Sequence, residues 1–113
     1  MEPGHWRQVF EEALNLPGDL RAFDLTLRGV VSIGVEFVTR IRDVQALVRQ
    51  ASQKQRDSRV DRLILVVKDT NGNRRAVREA GAVLTVAFPI RARAVMAALR
   101  LGRDPGGNGL LFL

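Results

Sequence analysis

Two carboxylates have the type and spacing to share one piece of chemistry. Asp24 lies in a segment of alternating residues, where Phe23, Leu25 and Leu27 share one face and Ala22, Asp24, Thr26 and Arg28 the other. Glu36 lies in a second such segment, with Val31, Ile33, Val35 and Phe37 opposed to Ser32, Gly34, Glu36 and Val38. Gly29 falls between them, so the two segments are predicted to form a hairpin over residues 20–28 and 31–38. A register that pairs Phe23 with Phe37, Leu25 with Val35 and Leu27 with Ile33 keeps apolar side chains opposite apolar ones, whereas a one-residue slip mixes every pair, and the same register sets Asp24 opposite Glu36. Like charges side by side are destabilising and need an offset: a nearby arginine, a shared proton or a divalent cation. Mg²⁺ is commonly held by one or two carboxylates plus water, which makes Asp24 and Glu36 candidate metal ligands. A charged sheet face neutralised by Arg28, Arg40 or Arg42 would meet the same need with no ligand.

The elements that would carry this pair follow from periodicity. Trp6, Val9, Phe10, Ala13 and Leu14 recur at helical spacing, which predicts a helix over 5–15, broken by Pro17-Gly18-Asp19. Ile41, Val44, Leu47, Val48 and Ala51 form the apolar stripe of a helix over 40–57, with Thr39 as its predicted N-cap. Arg42, Gln45, Arg49, Ser52 and Arg56 then align on one polar, basic face. Leu63 to Val67 is a continuous branched run, the pattern of a strand covered on both sides. Asp69 to Asn73 closes it, and a helix is predicted over 73–87 in preference to a strand at Val83 to Phe88. Pro89 stops that helix. Ala94, Val95, Ala98 and Leu99 mark a last helix ended by Gly102, and Leu110 to Leu113 a short strand. The predicted order is αββαβααβ: a single α/β layered domain over 1–113 with a mixed central sheet, residues 1–18 being an N-terminal helix and turn.

Charge narrows the partners. The chain of 113 residues carries a net charge of +6, and its 18 basic residues include only two lysines, Lys54 and Lys68. Such an excess suits an anionic partner, DNA in particular, although arginine, alanine, valine and glycine are enriched together as a GC-rich genome would dictate. Arg42, Arg49 and Arg56 on the helix face are candidate phosphate contacts, as are Arg74 and Arg75. These last two open a helix, where the macrodipole disfavours cations unless an acid or anion lies nearby. With no cysteine and one histidine there is no disulfide framework, no thiolate metal site and no catalytic triad to assemble. GGNG at 106–109 lacks the following helix that a phosphate-binding loop needs. No apolar run is long enough to span a bilayer and the N-terminus has no leader pattern, so the expected location is the cytoplasm.

An aspartate on one strand, a glutamate on the next, a helix bearing glutamine and then a buried strand resemble the restriction-endonuclease-like, PD-(D/E)XK type of domain. The segments VEFVTRIRDVQAL, DRLILVVKDTNGNRRAVREA, FPIRARAVMAAL and GRDPGGNGLLFL resemble more closely a domain found C-terminal to helix-turn-helix regulators of GC-rich bacteria, over residues 19–113. The resemblance implies that Asp24 and Glu36 match the two metal-binding acids and Gln45 the glutamine that some nuclease families add. It also implies Mg²⁺ as the cofactor, and DNA, a helix-turn-helix domain or another protein as the partner. Two positions depart from the pattern. Val38 stands where the catalytic lysine is expected, two residues after Glu36, and Phe23 stands where a proline would precede the first acid. Lys54 and Lys68 are the only lysines that could substitute, and spacing places neither of them at the acids. The function expected is therefore a nuclease-like accessory domain of a transcriptional-regulator type protein that has lost catalysis. The alternatives are an active Mg²⁺-dependent nuclease with a displaced lysine, or a protein-interaction or small-ligand module.

Overall fold

The computed structural model describes residues 6–10 and 23–113. These form an α/β domain built on one mixed five-stranded sheet, β1 (Arg7–Phe10), β2 (Leu25–Arg28), β3 (Ser32–Val38), β4 (Arg62–Val67) and β5 (Gly109–Phe112), whose spatial order is the sequence order. The first three strands form an antiparallel meander, while β4 runs parallel to β3 and β5 parallel to β4. Parallel neighbours need crossovers. The first is α1 (Val44–Ser58); the second is made of α2 (Asn71–Ala80), α3 (Ala82–Ala87) and α4 (Ala92–Leu101).

β4 is the centre of the molecule and shows why the run Leu63 to Val67 is apolar at every position. Leu63, Leu65 and Val67 point into a core closed by Ala51 of α1, Val77 of α2 and Leu84 of α3. Ile64 points the other way, into a second core with Ile33, Val35, Leu111 and Val95 of α4. The sheet thus carries three helices on one face and α4 on the other. Trp6 belongs to the second core, and its indole N–H donates to the carbonyl of Leu99 at 2.9 Å, tying the start of β1 to the end of α4.

Over β2 the hairpin register is the one that face consistency requires: Leu25 opposite Val35, Thr26 opposite Gly34, Leu27 opposite Ile33 and Arg28 opposite Ser32. Phe23 is a correction: the chain bends at Asp24, and Phe23 packs in the first core and not opposite Phe37 on the face of Leu25 and Leu27, which belong to the second. Gly34 has a packing reason to be glycine. The Phe23 ring lies across it, and a Cβ at position 34 would fall 2.5 Å from two ring carbons.

Four predicted elements are corrected. Residues 7–10 are a strand and not part of a helix over 5–15, because hydrogen bonding along β2 satisfies their backbone as the edge of the sheet; residues 11–15 lie outside those described. The order is accordingly βββαβαααβ. The helix predicted over 40–57 begins only at Val44, and its N-cap is Asp43, whose carboxylate accepts the Ala46 N–H at 3.1 Å. Thr39 cannot cap it because Thr39 and Ile41 are held elsewhere by Asn73. The helix predicted over 73–87 is two helices, divided at Gly81, where φ is +51°. In the hairpin, β2 starts one residue after Asp24, and residues 20–22 lie outside those described.

Asn73 is the buried polar residue that shapes the carboxyl end of the sheet. It is 2% exposed, yet its side chain is well satisfied. Its Oδ1 accepts the Ile41 N–H at 2.9 Å, and its Nδ2 donates to the carbonyls of Thr39 at 3.0 Å and Lys68 at 2.9 Å. One side chain so replaces the backbone partners that the loop between β3 and α1 lacks.

Candidate acid–lysine site

Glu36 sits in mid-strand, on the face of β3 that carries Gly34 and Val38 and packs beneath α1. Main-chain pairing with Leu65 of β4 holds the backbone in place. A carboxylate there is partly withdrawn from water, and its side chain is only 19% exposed. Lys54, from the penultimate turn of α1, reaches down to it, and the ammonium hydrogen-bonds to Glu36 Oε2. The other oxygen, Oε1, is buried and has no hydrogen-bond partner among the described residues. Burial raises the Glu36 pKa above the 4.5 of an unperturbed glutamate. The bond and charge of Lys54 pull it back, the charge of Asp24 pushes it up, and the Asp24 backbone N–H favours the ionised form slightly.

Asp24 is near enough for its charge to act on Glu36, but the predicted cross-strand pair is not formed, because the paired residues end at Leu25 and Val35. Asp24 occupies a bend just before β2 and remains exposed. Its Oδ2 accepts the Phe37 N–H at 2.8 Å. Strand N–H groups lie in the plane of the sheet, so this carboxylate continues the β3 ladder past the end of β2. The two acids are therefore adjacent without facing each other symmetrically. The offset that their proximity requires is Lys54, and none of Arg28, Arg40 or Arg42 supplies it.

The other candidates are placed as follows. Gln45 is nine residues from Lys54, which is about two and a half turns at 3.6 residues per turn. It lies across the helix from the acid pair, at a groove lined by Ile41, Val44, Ala76, Glu79 and Ala80. Arg49 and Arg56 are exposed on the outer side of α1, opposite the acid pair, whereas Arg42 lies in the loop before the helix, which starts only at Val44, and so is not part of the helical stripe predicted through it. Arg74 is engaged with Asp69, through Nε–Oδ1 at 2.5 Å and Nη2–Oδ2 at 3.0 Å, and its guanidinium lies 4.4 Å from the Phe112 ring centroid. That acid answers the unfavourable placement of a cation at the start of α2. Arg75 is exposed at the start of the second turn of α2 and forms no ion pair among the described residues. Val38 sits on the face of Glu36, where a lysine two residues on would lie, and it packs into the core instead.

Lys54 is the member of the site that periodicity did not bring forward. The signal was present. Val44, Leu47, Val48 and Ala51 mark the inward stripe of α1, and a further step of three residues lands on Lys54. A lysine on an inward stripe needs a buried counter-charge, and Glu36 is the acid beneath that helix.

Among the described residues no group of three or more acids and histidines could hold a metal ion. Asp24 and Glu36 together offer a smaller set, the buried Oε1 of Glu36 and the second oxygen of Asp24. Two carboxylates completed by water fit Mg²⁺ but do not enclose it. No helix of the described residues is long and apolar enough to cross a membrane. No family model, no curated protein and no solved structure matches the chain.

Proposed function

We propose that the chain is a nuclease-like accessory domain of a transcriptional-regulator type protein, which contacts DNA through arginines and whose acid pair is held by a lysine in a form that does not cleave. The observation that carries the reading is the Lys54–Glu36 ion pair beside Asp24. An aspartate before one strand, a glutamate on the next, a helix and a buried parallel strand follow in the order that the nuclease-like resemblance expects. Within that frame the ammonium compensates the acids, Val38 supplies no charge, and Asp24 is committed to the β3 backbone. DNA contact is supported by the +6 charge and by the exposed Arg49 and Arg56 on the outer side of α1, with Arg42 exposed in the loop before it.

Fluorescence anisotropy of a labelled duplex, titrated at several salt concentrations, tests the DNA contact. Affinity should fall steeply with salt, because phosphate contacts release counterions. Arg49→Ala should lower the magnitude of the logarithmic slope by about one unit and weaken all sequences alike, while Arg103→Ala should leave the slope unchanged. No binding at low salt, or identical behaviour of the two variants, refutes it.

One observation favours a second reading, an active Mg²⁺-dependent nuclease with Lys54 as the displaced lysine: Lys54 is the lysine that the fold brings to the acids. Asp24 and Glu36 would then hold the ion, which would supply charge stabilisation at a phosphodiester. Lys54 would orient the scissile phosphate by its charge.

A further inference from the structure

We infer that the domain bridges two DNA duplexes, one held by Arg49 and Arg56 on the α1 side and a second by Arg93 and Arg100 on the opposite, α4 side. The inference rests on the DNA contact proposed above and extends it to a second surface.

The two helices present arginine in the same way. In α1 the residues turned to the sheet are Val44, Leu47, Val48 and Ala51, and at about 100° per residue Arg49 and Arg56 fall on the far side. In α4 the inward residues are Val95, Ala98 and Leu99, and Arg93 and Arg100 fall on the far side. The members of each pair are two turns apart, about 10 Å along the helix axis. All four arginines are exposed and form no ion pair among the described residues. Because α1 and α4 cover opposite faces of the sheet, the pairs point away from each other, and one straight duplex meets one pair at a time.

The α4 side lacks its own counter-charge. No acid stands between Glu79 and Asp104 in the sequence, and Asp104 is engaged with Arg62 through Nε–Oδ1 at 2.9 Å and Nη2–Oδ2 at 3.0 Å. The start of α4 is more telling. Arg91 is its N-cap without a side-chain cap bond, and Arg93 lies in a first turn that holds no acid. The positive end of the helix dipole disfavours both cations there. At α2 Asp69 answers the same problem beside Arg74, whereas at α4 no ion pair among the described residues does. A phosphate backbone supplies the missing charge, pairing with the guanidinium forks and accepting from the free N–H groups of the helix start. Two arginines spaced along a helix axis match a run of phosphates better than a single small anion.

A sandwich capture tests the bridging, with a biotinylated duplex on streptavidin beads and a free fluorescent duplex at low salt. The proteins are wild type, Arg93→Ala/Arg100→Ala and Arg49→Ala/Arg56→Ala. All four positions are exposed on helices, where alanine is favourable, so both variants should keep the wild-type circular-dichroism spectrum. Retention of protein and capture of the fluorescent duplex are read separately. Wild type should be retained and should capture the second duplex. Each double variant should be retained through its remaining face and lose capture at least fivefold. Two results overturn the bridging and leave the DNA contact standing: wild type retained without capture, or capture undiminished in Arg93→Ala/Arg100→Ala, as self-association would give. Wild type that is not retained refutes the DNA contact and the bridging together.

Discussion

Lys54 on α1 bonds to Glu36 on β3, so the one partly buried carboxylate on the helix-covered face of the hairpin is matched by a charge from the helix above it. This contact joins two of the central elements and decides the electrostatics of the site.

The titration of Glu36 should report that contact. Its pKa is raised by burial and restrained by Lys54, so Lys54→Met should raise it further. A raised carboxyl binds its proton more tightly in the folded state, and its contribution to stability therefore falls as pH rises from the unperturbed 4.5 through the folded value. Asp61, Asp69 and Asp104 act in the opposite sense. Hydrogen bonds from Ser32, Arg74 and Arg62 respectively hold them below the usual 3.8, and the stability they add above that value is lost as pH falls through their folded pKa values. Carbon-detected NMR of the side-chain carboxyls checks both directions. A Glu36 midpoint at or below 4.5 would contradict the first.

Gly34→Ala should destabilise the fold by about 1–3 kcal/mol, the usual cost of overpacking. The added methyl meets the Phe23 ring at 2.5 Å. In a double-mutant cycle with Phe23→Leu, urea denaturation should show part of the loss recovered, because the two sites share one contact. Strict additivity would mean that the ring does not rest on Gly34.

Asn73→Ala should cost about 2–4 kcal/mol, since it strands the Ile41 N–H and two carbonyls around a buried site. Chemical denaturation reads the loss. Hydrogen exchange should show it first at residues 39–43, the loop that the side chain holds.

Arg59→Gly should stabilise the chain by about 0.5–1 kcal/mol. Arg59 ends α1 with φ at +56°, the left-handed conformation that glycine adopts without strain. A lower melting temperature for the glycine variant would contradict this.

Much of the fold was legible because its signals are local. The hairpin register followed from the alternation on both strands, and the apolar run of β4 announced burial on both faces. The misreadings have physical causes. Trp6, Val9 and Phe10 fit a helical period, yet pairing with the free edge of β2 decides the backbone of residues 7–10, and that contact is non-local. Helix spacing could not reveal the break at Gly81, because Val77, Ala80 and Leu84 keep the same inward face across it. Register predicted Asp24 opposite Glu36, but the bend before β2 turns Asp24 to the Phe37 N–H, which alternation cannot show. Lys54 was not legible either, because the docking of α1 on the sheet, and not sequence spacing, sets it over Glu36.

In the function proposed above, Lys54, Glu36 and Asp24 form a compensated site that does not cleave, on a domain that contacts DNA. The most direct measurement incubates supercoiled plasmid and single-stranded DNA with the protein in Mg²⁺ or Mn²⁺ and follows strand breakage on gels. Intact DNA is expected at protein concentrations that retard the same plasmid at low salt. Breakage by wild type that disappears in Asp24→Ala, Glu36→Ala and Lys54→Ala would contradict it and establish Lys54 as the displaced lysine of an active nuclease.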